Sequence, residues 1–358
     1  MSFKGNEKHI FLGGNTPKGF FSYYSYLLSP DCARRIYCIK GGPGTGKSTF
    51  MKKIAAAAVK KGADVELAHC SSDPNSLDGV IIKPANIAFV DGTHPHVVDP
   101  RYPGAVDTLL SLSECWDAAA IGQHKEAIMK TNEKISEQFA RAYRYLAAAK
   151  YFQDDIEVIY RASLKGNYHA IFEESMIFQE FAEIPVCEIR GRERRLFASA
   201  VTPEGIIDLS EALLSGYKTY IIKGYPASTL DTISETALNR GFDTEKYYCP
   251  LAPDTRIDHL LIPKLNLAFT VSNDYHSYSK GEVVDFDEFC SKYIIEKYRD
   301  EREFAKEEFD RLLSRAVSAI SEAKQYHDEL EKYYIPAMDF EKTDAICEKT
   351  LKEVLEFI

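Results

Sequence analysis

The sequence predicts an α/β chain built from two tandem copies, each a parallel β-sheet flanked by helices and followed by a long helical arm. Three observations predict it. A glycine-rich loop lies between a short apolar strand and a helix, further strands alternate with helices around it, and a later stretch repeats the whole order.

The chain opens with the apolar His9-Ile10-Phe11-Leu12 and a turn through Thr16-Pro17-Lys18-Gly19. The aromatic stretch Phe20 to Leu28 is then expected to be helical. Ile36-Tyr37-Cys38-Ile39 reads as a buried strand and Phe50 to Val59 as a helix. Between them stand Gly41, Gly42, Pro43, Gly44, Thr45, Gly46, Lys47, Ser48 and Thr49. This fits G-x-x-x-x-G-K-[ST], a phosphate-binding P-loop, in the strand–loop–helix setting that such a loop requires. Amides from Gly42 to Lys47 would form a nest at a helix N-terminus, where the helix dipole also favours a polyphosphate. Lys47 would neutralise the β- and γ-phosphates, and the Ser48 hydroxyl would ligate Mg²⁺. A chance Lys-Ser behind a glycine turn would lack the flanking strand and helix.

Asp64 to His69 reads as a second strand, ending in the polar turn Cys70-Ser71-Ser72-Asp73-Pro74. Asn86 to Asp91 reads as a third, closing with Gly92-Thr93-His94-Pro95-His96. Asp91 ends this apolar strand as a Walker B aspartate does, and is the second candidate Mg²⁺ ligand. Hydrolytic P-loop ATPases of the larger branch carry a glutamate next; this chain has Gly92. The catalytic candidates are therefore Lys47 and Asp91, with Asp73 or His94 to polarise a water or an acceptor hydroxyl. Asp78 and His96 lie nearby, but Asp73-Pro74 and Asp78-Gly79 are also turn signatures. His96 recurs as His276 in the second copy, which points to a structural role. His94-x-His96 as a metal pair lacks further ligands at recognisable spacing.

From Cys115 to Phe181 the chain reads as long amphipathic helix, and Glu188 to Arg195 as a charged linker. Its Arg190, Arg192, Arg194 and Arg195 either supply an arginine finger to the Lys47 site or are simply solvated. Then the order recurs. Arg195-Leu196-Phe197 with Thr202-Pro203-Glu204-Gly205 echoes the N-terminus, Tyr220-Ile221-Ile222-Lys223-Gly224-Tyr225-Pro226 echoes the P-loop strand, and Asn266 to Phe269 echoes Asn86 to Phe89. The helical stripe Ile135, Phe139, Ala142, Leu146, Ala149, Ile156, Tyr160 returns at one constant spacing as Phe309, Leu313, Ala316, Ile320, Ala323, Leu330, Tyr334. The expected division is 1–117 for a P-loop domain, 118–187 for its helical arm, 188–292 for a degenerate P-loop domain and 293–358 for the second arm. In the second copy Leu230 stands opposite Lys47, Asp231 opposite Ser48, Ala227 and Thr229 opposite Gly44 and Gly46, and Val271 opposite Asp91. A leucine cannot neutralise a phosphate, and an aspartate at the hydroxyl position repels one.

Composition sets limits. With 54 acidic against 44 basic residues, the net charge of −10 argues against a general nucleic-acid binder. The eight cysteines form no C-x-x-C, and no apolar run is long enough to span a bilayer, so a cytoplasmic protein with reduced thiols and no membrane partner is expected.

The runs Lys40 to Thr49, Cys70 to Val80 and Asp91 to Pro100, with the second block Arg195 to Gly205, together make the chain resemble a bacterial family of tandem P-loop ATPase-like proteins. The resemblance spans essentially the whole chain. It implies a duplicated P-loop NTPase fold and a cytosolic ATP-binding protein, and brings no substrate. No N-K-x-D guanine signature is present, since Glu341-Lys342-Thr343-Asp344 lacks the asparagine, so ATP is favoured over GTP. The leading expectation is a Mg²⁺-dependent ATPase with a pseudo-ATPase second copy. Two others stand beside it: a kinase for a small molecule or nucleotide, and a nucleotide-gated scaffold without useful turnover. In the last, arm aromatics such as Tyr143, Tyr145, Tyr151, Phe152, Tyr326, Tyr333 and Tyr334 would serve a protein partner.

Overall fold

The computed structural model describes residues 4–94, 96–225, 228–273 and 275–358. Its first half runs β1 (Glu7–Phe11), β2 (Gly13–Thr16), β3 (Gly19–Ser22), β4 (Arg35–Lys40), α1 (Lys47–Lys60), β5 (Val65–His69), β6 (Leu77–Ile82), β7 (Ile87–Asp91) and β8 (Asp107–Ser111). Three helices follow: α2 (Ala118–Gly122), α3 (Lys125–Ser163) and α4 (Tyr168–Phe181). The second half runs β9 (Glu193–Leu196), β10 (Ser199–Thr202), β11 (Gly205–Asp208), α5 (Ser210–Leu214), β12 (Lys218–Lys223), α6 (Thr229–Asn239), β13 (Thr244–Cys249), β14 (Ala252–Ile262), β15 (Leu267–Ser272) and β16 (Glu282–Asp285). It ends in α7 (Lys292–Lys297), α8 (Arg299–Tyr334) and α9 (Phe340–Leu355). Among the described residues no helix is long and apolar enough to cross a membrane.

Two six-stranded sheets result, ordered β1-β5-β6-β7-β4-β8 and β9-β13-β14-β15-β12-β16. They are mixed rather than parallel: β6 is antiparallel to β5 and β7, and β14 to β13 and β15. The connections explain this. β5 reaches β6 through a short turn and β6 reaches β7 through Lys83–Asn86, and links this short permit only antiparallel neighbours. Asn86, at φ 51, closes the last turn rather than beginning a strand. Asp78-Gly79, a turn signature by sequence, instead sits inside β6.

Phe20 to Leu28 is not a helix either. Gly19, at φ 97, turns the chain so that β3 pairs antiparallel with β2, and only Tyr24–Tyr26 makes a helical turn. The Thr16 hydroxyl closes this hairpin on the Gly19 carbonyl at 2.8 Å, and Thr202 does the same to Gly205 at 2.8 Å. The arginine-rich linker is partly strand: β9 lies parallel to β13.

The sheets meet edge to edge, Phe11 and Phe197 exchanging two backbone hydrogen bonds of 3.0 Å. One apolar core consequently runs across both halves, through Ile10, Phe11 and Leu12 to Phe197, Tyr220 and Phe269. α3 and α8 lie against each other over a seam in which Ala142, Leu146 and Ala149 join Phe309, Ala316 and Ile320. Alanines in such a seam let two long helices approach closely. Each terminal helix then packs on the other half's loop helix, α4 on α6 and α9 on α1.

Candidate functional site

β4 delivers the glycine loop to the head of α1. Gly44 and Gly46 take φ of 65 and 89, a conformation in which glycine carries no Cβ penalty. The buried Thr45 ties the loop to itself by donating to the Gly42 carbonyl at 2.9 Å. Among the described residues the amides of Gly42, Gly44, Thr45 and Gly46 donate to no protein acceptor. They stand where a helix N-terminus leaves its donors free.

Lys47 folds back over this loop, donating to the carbonyls of Gly42 at 2.8 Å and Gly41 at 3.2 Å. Its amine is also 3.6 Å from Asp91 Oδ2 at the end of β7. Asp91 Oδ1 accepts from the Thr93 amide at 2.8 Å, and the Thr93 hydroxyl returns to the Gly41 carbonyl at 2.8 Å. Ser48 Oγ accepts from the Leu77 amide at 3.0 Å, while Thr49 points to solvent. Gly41 to Ser48 and Asp91 are thus brought to one end of the first sheet.

The water-activating candidates fare differently. Asp73 accepts from Ser76 Oγ at 2.6 Å and faces Lys324 of α8 at 3.9 Å. His94 is exposed beyond β7, and its neighbour Pro95 lies outside the described residues. His96 points the other way, into the protein: Tyr24 joins it at 2.9 Å to the buried Asp78, which lies 3.6 Å from His96 Nε2. Burial raises the Asp78 carboxyl above its usual range. The two histidines are therefore not a pair. Gly92 has its own reason: a Cβ there would lie 2.7 Å from the Val98 carbonyl, so a glutamate at that position would displace the following loop. The arginines are engaged elsewhere, Arg190 with Glu235, Arg192 with Asp243, Arg195 with Glu193, and Arg194 with Glu66 and Glu245.

The sequence reading missed what covers the loop. The elbow between α8 and α9, from the second half of the chain, packs directly on it. A Cβ on Gly42 would lie 2.8 Å from the Tyr334 ring, and one on Gly44 would lie 2.7 Å from Ile335. Backbone bonds from Asp117 to Ala337 and from Asp339 to Cys115 fasten the elbow to the first half. Helix length was the available signal: 36 residues span about 54 Å, more than one α/β unit needs for its own flank.

The corresponding loop of the second half is built differently. Ala227, the expected counterpart of Gly44, lies outside the described residues. Leu230 is buried in the core, and burial raises the Asp231 carboxyl. Beside this loop, between the second sheet and the long helices, lies a cavity of about 830 Å³ lined among others by Tyr160, Lys223, Cys249, His276 and Arg302. Compared with protein-family models, curated proteins and solved structures, the chain matches none of them.

Proposed function

We propose that the chain binds a nucleoside triphosphate, ATP in preference to GTP, on the Gly41–Ser48 loop and hydrolyses it with Mg²⁺. The observation that carries this reading is the position of Lys47. Its amine bridges the loop carbonyls and the carboxylate of Asp91, at the mouth of a nest of free amides. Triphosphate oxygens would replace those carbonyls as its partners. Ser48 Oγ and Asp91 Oδ2 are oxygen donors of the kind Mg²⁺ takes, and they would hold it together with phosphate oxygens and water. The ion would neutralise charge developing on the β,γ-bridge.

We infer further that the two halves are copies of one P-loop NTPase unit, as in the bacterial family the sequence resembles. The shared strand order and the matching Thr–Gly hairpin turns support this. The second copy, with Leu230 in place of the lysine, is then a pseudo-ATPase. Purified protein given Mg-ATP should release phosphate, and Lys47→Ala should reduce that release at least 100-fold. Equal rates for the two proteins would overturn the reading.

One observation favours a kinase instead. The Val98 carbonyl leaves no room for a water-orienting glutamate after Asp91, and a kinase needs only a base for its acceptor. ADP formation that rises with a small-molecule acceptor, above the rate with water alone, would select that reaction.

A further inference from the structure

Among the described residues of the second half, His259 Nε2 is buried with no hydrogen-bond partner, while His276 Nδ1 and the two Asp258 carboxylate oxygens form no well-aligned hydrogen bond and have only ion-pair neighbours, Asp208, Arg256 and His276, at 3.2–3.4 Å. A buried ring nitrogen is rarely left unsatisfied, and His259 Nε2 asks for a missing partner. His276 also lines the 830 Å³ cavity. One ligand atom each from Asp208, His259 and His276 lie within 4.8 Å of one another.

We propose that this half holds a divalent first-row metal ion, zinc or iron(II), on His259 Nε2, His276 Nδ1 and the Asp208 carboxylate. His276 Nδ1 and Asp208 Oδ2 are 3.4 Å apart, the separation of two ligands at bond lengths of about 2.1 Å and a tetrahedral angle. Each ligand is held from behind. Thr270 Oγ1 bonds His259 Nδ1 at 2.7 Å, which turns Nε2 toward the cluster. Asp258 faces His276 Nε2 at 3.3 Å, the carboxylate–histidine arrangement that fixes a metal-binding imidazole. Asp208 is oriented by Ser210, whose amide and hydroxyl donate to it at 3.0 and 2.8 Å. Arg256, 3.2 Å from Asp258, balances the second carboxylate. Of the three ligands His276 faces the cavity, the side from which an ion would enter.

The first half brings a different set together, Cys70, Asp78 and His96. By strand register, Gly79 stands where His259 does and Ser22 where Asp208 does. The counterparts Asp78 and His96 are instead satisfied by Tyr24, at 3.0 and 2.9 Å. Two ligand residues are thus peculiar to the half that lacks the P-loop lysine, and the inference does not rest on the nucleotide reading.

The test is elemental analysis of full-length protein purified on a tag that does not bind metal and without chelator. About one zinc or iron per chain is expected, and the element found identifies the ion. After chelation, stoichiometric Co²⁺ should produce visible ligand-field bands. His259→Leu and Asp208→Asn should lose the metal and the bands, with folding followed by circular dichroism, while Lys47→Ala keeps both. Folded wild-type protein that retains no zinc, iron or cobalt would overturn the assignment. So would full metal occupancy in folded His259→Leu.

Discussion

Glu66 is completely buried on β5, yet it stays charged. Arg194 at 2.6 Å, Lys83 at 2.8 Å and Lys8 at 3.6 Å surround it, and its register counterpart Glu245 shares Arg194 and Lys8. Burial alone would raise the Glu66 carboxyl, but these cations outweigh it and hold the group well below the usual carboxylate range. Because the folded value is depressed, the stabilisation is complete above the unfolded value of 4.5 and is lost as pH falls below it. Glu66→Gln leaves Arg194 and Lys8 to share Glu245 and takes the counter-charge of Lys83 away, and should destabilise by about 3 kcal/mol at neutral pH. Urea unfolding of both proteins across pH should show that gap narrowing below pH 4.5; a gap independent of pH would contradict the assignment. Sequence reading offered Arg194 as an arginine finger or a solvated linker residue. It could not find the actual role, because Glu66 and Glu245 are distant in sequence and no spacing rule links them to Arg194.

At the scale of elements, what could be read was whatever local chemistry dictates. The loop from Gly41 to Ser48 and the strand ending in Asp91 follow from glycine conformation and an apolar run, and both stand where the motif put them. β6 was hidden because Asp73-Pro74 and Asp78-Gly79 look like turns, and only pairing on both sides makes Leu77–Ile82 a strand. β3 was hidden because an aromatic run carries no period of its own until Gly19 folds it back on β2. The arm aromatics are mostly absorbed by packing: Tyr143 donates to Asn15 and Phe152 meets Phe304, while Tyr151 remains exposed. The α8–α9 elbow is the element that bears on the proposed function. With Tyr334 and Ile335 seated on Gly42 and Gly44, a triphosphate bound as proposed would compete with this elbow for the same loop. Affinity would then fall with the fraction of molecules in which the elbow is closed. Tyr334→Ala should tighten binding of a fluorescent ATP analogue several-fold, against its loss in Lys47→Ala. Unchanged or weaker binding in Tyr334→Ala would mean that the elbow holds the loop ready rather than covering it.

The whole molecule is organised by exchange between its halves. α3 leaves the first sheet and ends against the second, where Ser163 and Phe289 accept backbone bonds from Ser291 and Lys165. α8 makes the return journey and ends on the Gly41–Ser48 loop. Their terminal helices complete the exchange, α4 covering α6 and α9 covering α1. Cys347 and Val354 of α9 are buried in the same apolar cluster as Phe50, Met51 and Ile54 of α1. Cutting the chain at the sequence boundary between 187 and 188 would strip the apolar face of α1 and of α6 at once. It would also open the Phe11–Phe197 junction and separate Glu66 from Arg194. Neither piece keeps a closed core, so fragments 1–187 and 188–358 should be insoluble or molten when expressed alone. Co-expressed, they should associate into a complex that elutes like the intact chain and unfolds cooperatively. A soluble 1–187 fragment with a sharp thermal transition of its own would mean that α9 and the sheet junction contribute little, and that the halves fold as independent domains.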